Sequence, residues 1–313
     1  MIEAPTRIAE VARNYRFHGL YIKNFVISAL LILLPLMTLN IFLYGSMRRL
    51  ATNEASALSL NALHTTRDVF DAIFKEGEYL AASVALQDET EVYALRKDFD
   101  SILTSDTVRT IAANLKTAVY SNAFIHTVYV FSEVSDRLVT HIGENERESF
   151  SDQSWYDTYL EIDENRIYKV VRRISDNYPY VISLIKPLYL FGPEEKYGAI
   201  VINFDVDQLK PVLLDPDPSS PEDLYVIDSD GTILFSTRPE GLGKEAEAQR
   251  LELISGGRDF SDLRREGTGV PKIVSVSQSR RYPWSFLSYH ALSTYTLQSS
   301  RLQGFMTVAL IVS

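Results

Sequence analysis

The chain reads as an α+β protein in which a long N-terminal helix, transmembrane and then extracellular, leads into two tandem helix-and-sheet modules. A C-terminal helix then enters a second transmembrane segment. Three observations predict this. Phe25 to Tyr44 contains no charged residue, the apolar spacing changes from a helical period to a period of two near residue 124, and a strand–turn–strand pattern around Tyr129 returns around Tyr225.

The first element is the stretch Asn24–Gly45, NFVISALLILLPLMTLNIFLYG. At ~1.5 Å of rise per residue, about twenty apolar residues cross a ~30 Å hydrocarbon core. A helix satisfies its backbone groups internally, as lipid demands, and Pro35 and Asn40 do not exclude one. Arg7, Arg13, Arg16 and Lys23 precede the run against only Glu3 and Glu10, which favours a cytoplasmic N-terminus for residues 1–24; Arg48 and Arg49 act against that bias. A cleavable signal peptide is the rival reading. The long polar leader and the length of the apolar run favour an anchor.

At the other end, Gly304 to Val312, GFMTVALIV, is a second apolar run. Nine residues are too few to cross a bilayer, so a second transmembrane helix cut off at 304–313 is expected. Residues 45–303 would then be extracellular, held by a helix at each end. Composition agrees with such a region. Of 313 residues 46% are hydrophobic, and 18 Tyr with 15 Phe supply material for a large core. The net charge of −10 argues against nucleic-acid binding. No cysteine is present, which excludes disulfides and thiolate metal sites and suits a Gram-positive exported region.

Helical stalk segments are expected over 46–120. Leu63, Phe70, Ile73, Phe74, Leu80 and Val84 make one apolar stripe, and Phe99, Ile102, Leu103, Ile111, Leu115 and Val119 make a second. Leu63/Phe70 and Ile73/Leu80 are seven apart, a spacing that serves either a twin helix or the chain's own domain. Strands are expected at Ile125–Ser132, Arg137–Ile142, Ile167–Ile174, Tyr180–Tyr189 and Gly198–Asp205, with helices on one side. Asp152–Glu161, DQSWYDTYLE, forms a short helix or turn, and Asp205–Leu214 a connecting helix. Asp176-Asn177 and Phe191-Gly192-Pro193 break the chain on either side of the fourth strand.

Residues 121–214 thus form a membrane-distal module and 215–223, DPDPSSPED, a linker. A membrane-proximal module over 224–290 follows, with strands at Leu224–Asp228, Thr232–Ser236, Lys272–Ser279 and Trp284–His290 and a helix across about 244–254. A return helix at 291–303 leads to the second span. Val128–Phe131, a polar turn and Leu138-Val139 parallel Leu224–Ile227, Asp228–Gly231 and Ile233-Leu234. Two units of about 100 residues fit the usual domain size.

IHTVYVFS, SDQSWYDTYLE, YPYVISLIKPLYL, GAIVINFDVDQL, LYVIDSDGTILFS and YPWSFLSYH, in that order, resemble a double Cache (dCache) sensor region. The resemblance covers residues 48–300 and implies two tandem PAS-like modules with antiparallel sheets. The whole layout is similar to sensor histidine kinases of the Bacillus and Paenibacillus type, which are often linked to carbohydrate uptake. Membrane-anchored AraC-type regulators share it.

In that family the distal module holds a small ligand between its sheet and a loop-helix with a Trp-Tyr pair, which Trp155 and Tyr156 match. Tyr180 and Asp205 match further pocket positions. The amino-acid-binding subclass has an arginine where Gln153 stands and an aspartate where Ile182 stands, which counts against an amino-acid ligand. A neutral polyhydroxy ligand, a carbohydrate for example, fits the remaining chemistry. Trp155, Tyr156 and Tyr159 offer faces for stacking, and Asp205, Asn203, Gln153 and Arg172 offer hydrogen bonds. The bland alternative is that Trp155 fills core and Asp205 caps the helix after it.

Catalytic and cofactor chemistry is not expected in this region. The five histidines form no H-E-x-x-H and no close pair. Gly241–Lys244 departs from a phosphate loop, with Arg238 and Glu245 in the wrong places, and Asp228–Gly231 reads as a hairpin turn rather than a calcium loop. The expected function is ligand sensing for a transmembrane receptor, a histidine kinase first. The expected partners are a small extracellular solute, the membrane, a second copy in a parallel homodimer, and a cytoplasmic response regulator. An AraC-type output, a docking module for a solute-binding protein, and a chemoreceptor or diguanylate cyclase output are the alternatives.

Overall fold

In the computed structural model the described residues are 6–97, 102–175, 180–192, 195–214, 221–265 and 270–291. The expected return helix, the second span, most of the linker and the Asp176-Asn177 break lie outside them. The chain divides into two units, residues 1–54 and residues 55–313. In the first, helix α1 (Thr6–Ala85) begins, and it carries the apolar stretch. Phe25, Leu31, Ile41 and Phe42 are each at least 70% exposed, the surface a hydrocarbon environment would cover. Among the described residues α1 is the one helix long and apolar enough to cross a membrane.

The second unit holds the rest of α1, helices α2 (Asp88–Leu95) and α3 (Ile102–Ser121), and two antiparallel sheets. The first sheet is built from β1 (Ile125–Ser132), β2 (Arg137–Thr140), β3 (Gly143–Glu146), β4 (Tyr168–Arg173), β5 (Tyr180–Leu188) and β6 (Gly198–Asp205). Its order is β3-β2-β1-β6-β5-β4. Helix α5 (Val206–Leu213) follows. The second sheet takes β7 (Asp223–Ile227), β8 (Ile233–Ser236), β9 (Phe260–Arg264), β10 (Lys272–Gln278) and β11 (Ser285–Ala291), in the order β8-β7-β11-β10-β9. Helix α6 (Ala248–Ser255) lies between β8 and β9 in sequence.

Apart from β3 the two sheets have the same strand order, which is the repeat expected from the Tyr129 and Tyr225 segments. Tyr129 pairs with Val201 of the last strand of its sheet, and Tyr225 with Leu287 of the last strand of its own. Two strands escape the sequence reading. β3 is GENE and β9 is FSDLR, both at sheet edges and largely polar, so neither shows the alternation that marks a half-buried strand.

Helix α1 buries Leu63, Phe70, Ile73, Phe74, Ala81 and Val84 in the main core. The Phe70 ring meets Trp284 at 5.4 Å and Phe286 at 5.6 Å beside the second sheet, and Phe74 meets Phe204 of the first at 4.8 Å. Leu63, Phe70 and Ile73 therefore pack within their own domain and are not free to form a twin-helix seam. Fully burying each of these side chains contributes about 1.5–3 kcal/mol.

The first sheet is covered on both faces, which corrects the expectation of helices on one side. Val128, Val130, Ile182, Leu184, Ile200 and Ile202 enter the core shared with α1 and α3. The alternate residues Tyr129, Phe131, Ile185, Ala199 and Val201 pack under Trp155, Tyr159 and Ile162. Those three belong to the segment carrying helix α4 (Tyr156–Glu161).

Candidate functional site

The side chains of Thr127, Ser183 and Asn203 are polar residues on otherwise apolar strands. Thr127 pairs with Asn203, and Ser183 with Asn203, so the three stand together on the face covered by the α4 segment. Arg172 projects beside them from β4, opposite Val181 of β5. Asp152 enters from the loop before α4. Its neighbours Ser151, Gln153 and Ser154 are exposed, whereas Asp152 is 1% exposed.

Asp152 and Arg172 form a bidentate ion pair. Arg172 Nη1 donates to Asp152 Oδ1 at 2.5 Å and Nη2 to Oδ2 at 2.8 Å. The other guanidinium donors reach Ser183 Oγ at 2.8 Å, Ser154 Oγ at 2.8 Å and Asn203 Oδ1 at 2.9 Å. A guanidinium has five N–H donors, so Arg172 is saturated. Tyr129 Oη donates to Asp152 Oδ2 at 3.0 Å, and Asn203 Nδ2 donates to Thr127 Oγ1 at 2.8 Å. Burial, reinforced by the Asp152 charge, pushes the Tyr129 phenol well above its ordinary range, so it remains a donor. Removing one member of such a buried pair strands the other charge, at a cost of about 3–5 kcal/mol.

The sequence-expected residues divide into two groups. Arg172 lies at the centre of this network. Trp155 packs directly beside it with no exposed surface, its indole N–H donating to the Asp152 carbonyl at 3.1 Å. Phe131, Tyr129, Tyr156 and Tyr159 surround the indole at 5.2–6.4 Å between centroids. As folded here, Trp155 offers no face for a sugar ring. Tyr159 is equally buried, its hydroxyl held by Glu133.

Tyr156, Tyr180 and Asp205 are only partly buried. The Arg147 guanidinium covers the Tyr156 ring at 4.2 Å, and that of Arg173 covers Tyr180 at 4.5 Å. Asp205 is the N-cap of α5, accepting from the backbone N–H of Asp207 at 2.8 Å and of Gln208 at 3.2 Å. Gln153 is turned back onto its own loop, donating to the carbonyls of Arg147 and Phe150.

Thr127, Tyr129, Asp152, Ser154 and Ser183 are the site residues that the sequence reading missed. One signal was available: Ser183 and Asn203 interrupt VISLI and IVINF at positions of the same parity. Asp152 carried no such signal, because the residues beside it are polar and exposed. Among the described residues no group of three or more His, Asp or Glu is placed to hold a metal ion.

No protein-family profile matches the chain, and no curated protein matches it. Solved structures do. The sensory domain of the Campylobacter jejuni chemoreceptor Tlp3 with isoleucine bound superposes with a TM-score of 0.51 at 12% identity, over 79% of this chain and 96% of that one. The extracellular domain of vpHK1S-Z8, named as a histidine kinase, gives 0.57 at 8% identity over 80% and 95%. The ligand-binding domain of the Pseudomonas aeruginosa amino-acid chemoreceptor PctC, in complex with GABA, gives 0.50 at 14% over 76% and 98%. The fold is that of bacterial sensory domains.

Proposed function

We propose that this chain is the extracellular sensory region of a membrane-anchored signalling receptor. The observation that carries the reading is one of continuity. The apolar stretch of α1 and the core stripe Leu63–Val84 belong to a single helix, and that stripe packs in a two-sheet region with a sensory-domain fold. A histidine kinase output, acting on a response regulator, is supported by vpHK1S-Z8 and is preferred to an AraC-type regulator. The distal module, residues 121–214, receives a small polar solute against the α4-covered face. A bias between two packings of that module passes through α1 to the membrane, and a preference of ~1.4 kcal/mol shifts the state ratio tenfold.

A parallel homodimer through α1 belongs to the same reading. Leu58, Thr65, Ala72 and Tyr79 of α1 stand at seven-residue intervals, and all four are exposed. This stripe takes the place of the Leu63/Phe70 seam. A second reading, a docking module for a solute-binding protein, is favoured by the filled face. Trp155, Tyr159, Ser183 and Asn203 expose no surface at all, so no water-sized void lies against them.

The cysteine-free sequence makes topology directly testable. Single cysteines at Glu148 and at Thr6 are labelled in intact cells with a membrane-impermeant maleimide. Labelling at 148 alone is expected. Labelling at 6 and protection at 148 would overturn the sensor reading.

A further inference from the structure

We propose that Lys169 latches the proximal module to the distal one, so that a shift of strand β4 is handed on to the β10–β11 hairpin at residues 279–284. The latch stands on geometry. Its use as a relay rests on the sensor reading and gives that reading a route from one module to the other.

The sequence of β4 places charge on both of its faces. Residues paired across antiparallel strands share a face. Arg172 pairs with Val181 and Val170 with Ser183, on the face covered by the α4 segment, whereas Lys169 pairs with Leu184 on the face packed in the main core with α1. β4 is an edge of its sheet, with β5 as its one strand neighbour. Hydrogen-bonded along one side only, it yields to a load on the α4-covered face before the central strands do.

Lys169 meets α1 and the proximal hairpin at once. Its ammonium donates to Glu78 Oε1 of α1 at 2.8 Å, and stands over the Tyr282 ring at 4.4 Å and the Trp284 ring at 5.7 Å. The two rings stack at 4.3 Å. The other oxygen of Glu78 accepts from Arg281 Nη2 at 3.4 Å. One carboxylate on α1 thus holds one cation from each module. The Lys169 and Glu78 side chains are only 13% and 18% exposed, so water replaces neither partner well. A lysine carried off with β4 would leave its charge and that of Glu78 parted and poorly hydrated, and the rings without their cation. Following β4 spares the hairpin that loss.

The hairpin is tied so as to move together. Ser279 Oγ accepts from the backbone N–H of Arg281 at 3.1 Å and of Tyr282 at 2.9 Å, and the Ser279 N–H donates to the Trp284 carbonyl at 2.8 Å. β11 begins one residue later, at Ser285. The remaining contacts of Trp284 with α1, through Phe70 and Phe74, are apolar and carry no comparable directionality.

The test is hydrogen exchange of the full chain in nanodiscs, read on peptides covering 279–284, 168–173 and, as a reference, 224–236. Lys169→Met keeps the stem and removes the charge. It is expected to speed exchange of 279–284 tenfold or more and to leave 224–236 unchanged. Lys169→Arg, which keeps a cation at the same place, should restore the original rate. Lys210→Met, which breaks the pair with Asp207 on α5, should change none of the three. Unaltered exchange of 279–284 in Lys169→Met, or an equal rise in 224–236, refutes the latch.

The relay is read by loosening β4 from its other face. Ser154 Oγ donates to the Arg173 carbonyl at 2.8 Å, at the end of β4, and Ser154→Ala frees that end. It should speed exchange of 279–284 at least threefold when Lys169 is present and not at all in Lys169→Met. From the opposite end, Tyr282→Leu should speed exchange of 168–173. Equal effects of Ser154→Ala in both backgrounds, or no response of 168–173 to Tyr282→Leu, would overturn the relay. Either result leaves the sensor reading standing, since that reading has its own test in the labelling of positions 6 and 148.

Discussion

Gly77 is buried on α1 where the helix meets the first sheet, and replacing it with alanine sets two effects of opposite sign against each other. In an exposed helix interior, Gly→Ala stabilises by about 1 kcal/mol. Here a Cβ would overlap Cζ of Phe204 and lie 3.0 Å from its Cε2, with Leu184 Cδ1 at 3.5 Å. Phe204 has no room to withdraw. It is fully buried, and its ring lies 4.8 Å from that of Phe74. Overpacking of this kind costs about 1–3 kcal/mol, so a net loss of about 1 kcal/mol is expected for Gly77→Ala. For a region of this size that is a fall of about 2–4 °C in Tm.

Urea unfolding in a fixed detergent, followed by the fluorescence of Trp155 and Trp284, measures the effect. Gly256→Ala is the control, since nothing lies within 4 Å of a Cβ there. It should be neutral or slightly stabilising. Adding Phe204→Leu should relieve the clash, so the double variant should lose less than the sum of the singles by about 1 kcal/mol. If Gly77→Ala stabilises by about 1 kcal/mol, as helix propensity alone dictates, the close approach of α1 to β6 is wrong.

Two further outcomes are expected. His290 of β11 is 2% exposed, and burial lowers its pKa from 6.5 to about 4. The unfolded chain then takes up the proton first as pH falls, so stability is full above about 6.5 and declines toward 4. The decline reaches about 2 kcal/mol by pH 5. Comparing the pH dependence of urea midpoints with that of His290→Gln should show this slope disappear, and an unchanged slope would assign it to other groups. A cysteine at Ala72 should cross-link two copies on oxidation in membranes, while one at the buried Ile73 should not. Equal cross-linking at both would remove the exposed heptad stripe as the dimer seam.

The large-scale organisation could be read without coordinates because each part carries its own periodicity. Phe25–Tyr44 is long and uncharged, the Leu63–Val84 stripe has helical spacing, and the alternation in IHTVYVFS and GAIVINFD fits strands with two different faces. The repeated segments at Tyr129 and Tyr225 were legible because the same strand order makes the same demand on side chains twice. β3 and β9 were not, since edge strands with polar sides bury too little to leave a pattern.

The candidate site was legible only in part. Arg172, Trp155 and Asn203 stood out as residue types, but their roles depend on partners far away in sequence. Asp152 is 20 residues from Arg172, and Asn203 is 31. Whether Trp155 stacks on a solute or fills a core depends on Phe131, Tyr129 and Tyr159 closing around it. Whether Asp205 binds a solute or caps a helix depends on the backbone turning into α5 beneath it. Local sequence carries periodicity and propensity, and those determined the long apolar helix, the other helices and most strands. Charge pairing across strands and burial under a loop are properties of the folded packing, and the tertiary structure alone decided which charged residue meets which.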